Sequence, residues 1–406
     1  MALCHLVGLA DNGESKVRIK SITITNIGGV SNLEVTFDKS MNIICGPNGV
    51  GKTTILECVA HSFAAYGHSI LKRSANSTSG KFVTKIALGD TSEFDVSVNI
   101  SEFVANGSGV NFGGRADMSK YLLSLKAIRT ISYKSLGSVS VDVEKASQHT
   151  QQEALNGSNI SETKAWFVHR VLWSGHEGSL SKEQIYNLSR IQGFFSLLDS
   201  SVKFNRVLAS SNDIMISTSA GEIYYEYLSS GFKACLALLF GIAKDIEFRF
   251  KDPNIKIDEF DGVVLVDEIE LHLHPAWQSK VPELLRKAFP KAQFIVTTHS
   301  PHVIQAAQPS EVIALEVSDG NVHVRPLPSS EFGFQGWTVE EVLSDVMGME
   351  DTRTPLYHKL LSGFEGAIEE EDYEVARGFY NKIDALLHPE NHLRKLLKFQ
   401  LAAVKV

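Results

Sequence analysis

The sequence has little cysteine and no long apolar run. Its 406 residues include four cysteines, Cys4, Cys45, Cys58 and Cys235, and no two of them form a CxxC pair. Neither a disulfide framework nor a zinc knuckle is indicated, which is typical of a protein from a reducing cytoplasm. The longest apolar run, ACLALLFGIA, is shorter than the ~18 residues of a membrane span, and the N-terminus lacks a basic lead-in. We expect a soluble, cytoplasmic protein.

The sequence also lacks an excess of positive charge. It has 39 Lys and Arg residues against 47 Asp and Glu residues, a formal net charge of −8. Such a chain has no global attraction for a polyanion, so any contact with nucleic acid must use a local basic patch. Leu71–Ser74 (LKRS) and Leu284–Lys291 (LLRKAFPK) carry local positive charge, but each is more typical of an ordinary solvated face.

Apolar residues, at 43% of the chain, are plentiful enough for a large core. Alternating runs from residue 18 predict antiparallel strands, and MNIIC predicts a buried strand that runs into glycines. Residues from about 140 to 205 have a polar helical pattern and look inserted. The apolar runs GVVLVDE and AQFIVTTHS, separated by one helical stretch, PAWQSKVPELLRKAFP, predict parallel strands of an α/β core. From about 335 to 406 the pattern is helical.

The glycine-rich stretch GPNGVGKTT satisfies the P-loop pattern in its expected context, after a strand and before a helix. The glycines turn backbone amides toward phosphate oxygens, and the helix N-terminus adds partial positive charge. We expect Lys52 to reach the β and γ phosphates of ATP and the Thr53 hydroxyl to bind Mg²⁺. The nucleotide contacts predicted in this stretch are Asn48, Gly49, Gly51, Lys52, Thr53 and Thr54.

The run VVLVDE delivers two carboxylates to the carboxyl end of a strand, where ligands collect in parallel sheets. Asp267 is placed to hold Mg²⁺, and Glu268 to orient or deprotonate an attacking water. A solvated strand end is the plain alternative, and the presence of a P-loop in the same chain weakens it. The pair indicates hydrolysis of ATP rather than binding alone.

The run LSSGFK, which opens an amphipathic helix, predicts a second anion-binding helix N-terminus. One nucleotide does not need two such sites from one subunit, so Ser230 and Gly231 are predicted to contact the γ-phosphate held by another copy. On its own, this run would be interpreted as a Ser N-cap followed by a flexible glycine. Its position between the P-loop and the DE strand favours a dimer with ATP in the interface.

Because these motifs occur in this order, residues 18 to 305 resemble the ABC-type ATPases. The stretches described above resemble the Walker A loop, the signature motif and the Walker B strand, and Glu270–His274 resembles the D-loop region. His299, in FIVTTHSPHVI, resembles the switch histidine that senses the γ-phosphate. These enzymes usually add a glutamine to the Mg²⁺ shell; Gln148, Gln151 and Gln152 are candidates, but none has a convincing strand-loop context, so the role stays unassigned.

Within this class, the N-terminal stretch from Ser21 to Glu57 is similar to that of RecF, SMC and OLD-type ATPases. DEIELHLHP followed by FIVTTHSPHVI is similar to the OLD-like and Septu-type (PtuA) ATPases, whose members occur in bacterial anti-phage systems and retron-linked operons. The resemblance implies a homodimer or higher oligomer and a separately encoded nuclease or toxin effector. One alternative is a RecF-like or SMC-like repair ATPase that acts directly on DNA, and we would expect its DNA contacts near residues 70–135. The other is a transporter subunit, which would need a membrane partner.

Two further features have plain explanations that we favour. His272 and His274 alternate as metal ligands can, but no further ligand cluster completes a zinc shell, so we expect D-loop packing residues instead. The acidic run EEED, residues 369–372, is more typical of a solvated helix face than of a nuclease metal site, so no intrinsic nuclease is predicted.

The predicted fold class is α/β, an ABC-type P-loop ATPase head with an N-terminal antiparallel β-region and a helical insertion, followed by a helical C-terminal extension. We expect the head at 18–330, its insertion at about 140–205 and the extension at 335–406.

Overall fold

The computed structural model describes residues 16–67, 70–104, 110–127, 145–159, 163–328, 331–349 and 351–404. The strands are β1 Val17–Ile27, β2 Val30–Thr36, β3 Met41–Cys45, β4 Tyr66–Gly67, β5 Gly80–Leu88, β6 Ser92–Ile100, β7 Val110–Asn111, β8 Leu122–Leu125, β9 Lys203–Leu208, β10 Asp213–Thr218, β11 Gly221–Tyr224, β12 Val263–Val266, β13 Gln293–Thr297, β14 Val312–Ser318 and β15 Asn321–Val324. The helices are α1 Lys52–His61, α2 Ser147–Asn156, α3 Thr163–Trp173, α4 Lys182–Leu198, α5 Ser230–Arg249, α6 Pro275–Gln278, α7 Val281–Ala288, α8 Pro301–Gln305, α9 Val339–Glu341, α10 Pro355–Glu369, α11 Tyr373–Leu386 and α12 Leu393–Ala403. By its internal contacts the chain divides into a first unit, Met1–Gly348, and a second unit, Met349–Val406.

The centre of the first unit is a sheet of six strands in the order β15-β14-β3-β13-β12-β8. All neighbours pair in parallel except the β14–β15 hairpin. The central strands are apolar on both faces because both faces are covered, as parallel sheets require. On β3, Met41, Ile43 and Cys45 belong to one buried cluster and Ile44 to another, so the alternation of the strand supplies two cores.

A second, antiparallel sheet in the order β2-β1-β5-β6 packs over α1. Its inward residues, among them Ile22, Ile24 and Phe82, share one apolar cluster with α1 and with residues of β12, β13 and β14. The helix that follows the glycine-rich stretch is thereby buried between two sheets. This architecture confirms the predicted N-terminal antiparallel β-region.

Helices α3, α4 and α5 cover the other face of the central sheet through an aromatic core. The rings of Phe167 and Phe240 stack with centroids 5.0 Å apart. A buried ion pair joins the helices as well: Arg170 Nε is 2.8 Å from Glu247 Oε2, and Asn187 Nδ2 donates to Glu247 Oε1 at 3.0 Å. The predicted α/β fold with its helical insertion is confirmed, and β9, β10 and β11 follow the insertion as a small antiparallel sheet.

Two details differ from the sequence expectations. Residues 275–288 form two short helices rather than one. Pro282 lies in the first turn of α7, where a proline is tolerated at the start of a helix, whereas it would break a helix that continued from α6. Residues 335–348, expected in the C-terminal extension, group with the first unit, and Val342 and Val346 are fully buried in its core.

The second unit is helical and has its own apolar cluster. Helices α10, α11 and α12 contribute Leu360, Phe364, Ile383 and Leu397 to it. In the portion of the chain that the structure describes, no helix has both the length and the apolar character to cross a membrane.

Candidate functional site

The loop between β3 and α1 has a backbone that only glycine can follow at two positions. Gly46 has φ 139°, and a Cβ built there would lie 2.4 Å from Leu315 O. Gly51 has φ 101° and is the N-cap of α1; a Cβ there would lie 2.8 Å from Val30 Cγ2. No acidic residue occupies the first turn of α1. The helix therefore presents its positive end, with free backbone N–H groups, to an anion.

Lys52 carries its ammonium group within this loop. Its Nζ donates to Gly46 O at 2.9 Å and to Pro47 O at 2.8 Å. Burial lowers the pKa of Lys52, and the negative charges of Glu270, Asp267 and Glu268 partly oppose that effect. An ammonium group held in the glycine-rich loop at a helix N-terminus is suited to bind phosphate oxygens.

Thr53 and Asp267 meet at the carboxyl edge of the central sheet. Thr53 Oγ1 lies 3.2 Å from each carboxylate oxygen of Asp267. Thr297, the last residue of β13, donates from Oγ1 to Asp267 Oδ1 at 2.6 Å and accepts from the backbone N–H of Glu268 at 2.8 Å. Hydroxyl and carboxylate oxygens are the ligands that Mg²⁺ prefers.

Glu268 leaves the strand in an unusual backbone conformation, with φ 50°. Its N–H is held by Thr297 and its carbonyl accepts from Leu271 N at 2.9 Å, so the left-handed turn is fixed at both ends. Strained backbone of this kind persists where surrounding bonds enforce it, and it is common at functional sites.

His299 lies one strand away from the Asp267–Glu268 strand, beyond the end of β13. Its ring is exposed, while its backbone N–H donates to Glu270 Oε1 at 2.6 Å. The second oxygen of Glu270 accepts from Thr298 Oγ1 at 2.7 Å. Glu270 thereby fixes the loop that carries His299.

Ser230 and Gly231 lie at the start of α5, against the segment that follows Glu268. Ser229 is the N-cap, and its Oγ accepts from Phe232 N at 3.3 Å, while Ser230 is exposed. A Cβ on Gly231 would lie 2.9 Å from Trp277 Cδ1, so glycine is required for this packing.

The chain matches known proteins over most of its length. Residues 41–305 match the family model described as "AAA domain, putative AbiEii toxin, Type IV TA system". Septu protein PtuA of Bacillus thuringiensis is 43% identical over 386 residues, which span 95% of this chain and 98% of that protein. The chain belongs to the PtuA family.

It is also 24% identical to the Retron Vc95 probable ATPase of Vibrio cholerae serotype O1 biovar El Tor, over 85% of this chain and 81% of that protein. Among solved structures, the SMC head domain from Thermotoga maritima aligns with a TM-score of 0.46 at 16% identity, covering 77% of this chain and all of that one.

The residues of this PtuA-family chain fit a nucleotide with Mg²⁺. Gly46 and Gly51 leave no room for a side chain beside the loop, the N-terminus of α1 is free of acidic residues, and Thr53 and Asp267 present oxygen donors at one place. Membership of an ATPase family implies nucleotide binding. The predicted contacts Asn48 and Gly49 are exposed on the loop, and Thr54 follows Thr53 on α1.

The other sequence candidates of this PtuA-family chain lie outside the Thr53–Asp267 cluster. His274 caps α6, with Nδ1 accepting from Ala276 N at 3.3 Å, and His272 is exposed with φ 65°. Over the described ranges, no three His, Cys, Asp or Glu side chains are grouped to hold a metal. Gln148, Gln151 and Gln152 all lie on α2, where Gln151 Oε1 accepts from Ala65 N at 3.2 Å.

Sequence reasoning missed the contacts of Thr297 with Asp267, of Thr298 with Glu270 and of Lys126 with Glu57. The threonines stand in the quoted run FIVTTHS, so their position at a strand end was a usable signal for the first two. Lys126 follows β8, the strand beside β12, and nothing in the sequence around it indicated that this strand joins the central sheet.

Proposed function

We propose that this chain is a Mg²⁺-dependent ATPase that closes as a head-to-tail homodimer around ATP. We further propose that the closed dimer regulates a separately encoded nuclease or toxin in bacterial anti-phage defence. The observation that carries the proposal is the meeting of Lys52, Thr53 and Asp267 at the carboxyl edge of three neighbouring strands, with Glu268 and His299 beside them.

Each side chain has a distinct part in the proposed hydrolysis. The backbone amides after Gly46 and the Lys52 ammonium bind the phosphates, and Thr53 with Asp267 would hold Mg²⁺, which neutralises phosphate charge when bound. Glu268, fixed by Thr297, orients the attacking water and accepts its proton. His299 detects the γ-phosphate from the neighbouring strand end.

The dimer is supported by the separate position of the α5 N-terminus. Ser230 is exposed at the start of a 20-residue helix, and Gly231 is pressed against Trp277 of the segment after Glu268. One nucleotide bound at Lys52 does not need a second helix N-terminus from the same copy. Ser230 and Gly231 are therefore assigned to the γ-phosphate held by the partner copy.

The defence role is supported by similarity to named relatives. The 43% identical relative is a Septu protein, and a second relative is a retron ATPase. The match with the Septu relative spans 95% of this chain and so includes the C-terminal helices, and the resemblance implies a separately encoded nuclease.

The proposal is tested by purifying tagged Glu268→Gln and Lys52→Ala proteins, with ATP present, from the cells that encode them. Glu268→Gln binds ATP but turns it over slowly, so it should elute as a dimer and bring the effector with it. Lys52→Ala lacks the phosphate-binding ammonium, so it should elute as a monomer without the effector. Light scattering measures the assembly, and mass spectrometry with nucleic-acid sequencing identifies what is bound.

Two results would overturn parts of the proposal. A Glu268→Gln protein that stays monomeric at saturating ATP contradicts the dimer around ATP. Recovery of chromosomal DNA with repair proteins, and of no nuclease or toxin, contradicts the effector role and supports direct action on DNA.

A further inference from the structure

Lys126 is the first residue beyond the carboxyl end of β8 and lies beside Asp267. Strands β8 and β12 pair in parallel, with Leu125 opposite Val266. The backbone N–H of Asp267 donates to Leu125 O at 2.9 Å. Lys126 and Asp267 therefore leave the sheet at the same edge on adjacent strands, about 5 Å apart in backbone.

The Lys126 ammonium pairs with Glu57 of α1. It donates to Glu57 Oε1, and the Glu57 side chain is only 4% exposed. Glu57 lies one helical turn after Thr53, so α1 is held to Asp267 at Thr53 and to the end of β8 at Glu57. Burial raises the pKa of Glu57, and the charge of Lys126 opposes that rise.

Lys126 is the lysine that pairs with the buried Glu57 carboxylate. Across the described residues, Glu57 Oε2 is buried and has no hydrogen-bond partner. A buried carboxylate without its cation is costly, so the pair ties α1 to β8 more firmly than a surface pair would.

The stem of Lys126 is packed against the end of α2. A Cβ built on Gly157, the residue after α2, would lie 2.6 Å from Lys126 Cγ. The next residue, Ser158, donates from its backbone N–H to Ser124 O at 2.7 Å. Residues 157 and 158 are therefore held at the end of β8 by packing on Lys126 and by the bond to Ser124.

Ser158 connects this point to α5. Its hydroxyl donates to Asp245 Oδ2 at 2.5 Å, and Asp245 is buried, with its side chain 3% exposed. Asp245 lies on the helix that begins with Ser230. The contacts thus run from Thr53 through Glu57, Lys126, Gly157 and Ser158 to Asp245, a path that could carry a displacement from α1 to α5.

We propose that Lys126 is a positioning residue that couples nucleotide binding at α1 to α5, the helix that presents Ser230 and Gly231. This inference rests on the proposed function. Lys126 touches neither the phosphates nor the metal in this role. It passes a displacement of α1 to the end of β8, and Ser158 passes it on to α5, so the partner-facing end of α5 responds to an occupied site.

The test is hydrogen–deuterium exchange with and without ATP in wild type and three variants. Lys126→Arg keeps the cation, Lys126→Met removes it, and Glu57→Gln/Lys126→Met removes the pair without leaving an unpaired buried charge. The matched control is Arg394→Met, which removes a part-buried pair with Asp384 in the second unit. ATP turnover and affinity are measured on the same proteins.

ATP should slow exchange in the P-loop of all five proteins. It should also slow exchange at residues 240–249 of wild type, Lys126→Arg and Arg394→Met by about tenfold, and this effect should be absent from the single and the double variant that carry Lys126→Met. Lys126→Met is expected to lose about tenfold in kcat with KM within about threefold, because ground-state binding of ATP is retained.

The double variant separates coupling from stability, since it should regain the thermal stability that Lys126→Met loses but not the response of α5. The proposal is overturned if ATP still protects residues 240–249 in the double variant, or if Lys126→Arg loses that protection as Lys126→Met does. The exchange measurement needs only ATP binding. Failure of the proposed function would instead appear as a wild-type protein without ATP turnover or ATP-dependent dimers.

Discussion

Two adjacent threonines at the start of α1 have different surroundings. Thr53 Oγ1 lies 3.2 Å from both oxygens of Asp267. Thr54 Oγ1 instead lies on the side of Gly28 and Gly51, 4.0 Å from a Cβ built on either. The hydroxyl of Thr53 thus faces Asp267, and that of Thr54 faces Gly28 and Gly51.

Replacement of each threonine by valine should separate the metal requirement from nucleotide affinity. Thr53→Val removes the proposed oxygen ligand, so the Mg²⁺ concentration for half-maximal ATP binding should rise by about tenfold. Thr54→Val should change that concentration by less than about twofold, because Thr54 does not face Asp267. A Mg²⁺ titration at fixed ATP measures both, and equal shifts in the two variants would contradict the assignment of Thr53 to the metal.

At the scale of residues, the sequence predicts which side chains approach one another only where strand order makes it necessary. Asp267, Glu268 and His299 each follow a buried parallel strand, and such strands end at one edge, so their neighbourhood was predictable. The pair of Lys126 and Glu57 was not, because its members are 69 residues apart and meet only once β8 has paired with β12 in the central sheet.

At the scale of elements, α1 carries a buried histidine at its end. The side chain of His61 is 1% exposed, and its Nδ1 donates to Glu57 O at 2.6 Å. Burial lowers the pKa of His61 from 6.5 to about 4. As the pH falls from 6.5 toward 4, the unfolded chain takes up a proton at His61 and the folded chain does not, so the free energy of unfolding decreases.

His61→Gln should therefore reduce the loss of stability between pH 6.5 and 4. The pKa shift of His61 to about 4 corresponds to about 3 kcal/mol of that loss at most. Denaturant unfolding at several pH values measures it, with His323→Gln, an exposed position on β15, as the control that should keep the wild-type pH dependence. Glu57 is present in all three proteins, so a His61→Gln protein with the wild-type dependence would show that burial of His61 does not determine it.

In most of the first unit, the helices and strands could be predicted from apolar periodicity and from the placement of glycine and proline. The run before the P-loop is a buried strand and the run after it a helix, as predicted, because period and glycine placement agree there. The stretch 275–288 was predicted as one helix because apolar spacing continues through it, but Pro282 starts a new helix. The local effect of a proline outweighs helical periodicity at that point.

At the scale of the whole molecule, the two units each have an apolar core of their own. The site residues, from Asn48 to His299, all belong to the first unit. Leu360, Phe364 and Ile383 form the core of the second unit with residues of the same unit. The sequence predicted one helical segment from about residue 335 to 406, and nothing in that pattern showed that Val342 and Val346 belong to the first core.

Two truncated proteins, one ending at Gly348 and one at Pro328, should therefore differ in stability. A protein ending at Gly348 keeps Val342 and Val346, and we expect ATP affinity within about twofold of the full chain and a Tm of the first unit within about 4 °C. A protein ending at Pro328 loses Phe334, Val342 and Val346, all fully buried, and should be less stable by at least about 4 kcal/mol. Thermal unfolding followed with and without ATP measures both. Equal stability of the two truncated proteins would place the end of the first unit near residue 330 and contradict the role of these three side chains in its core.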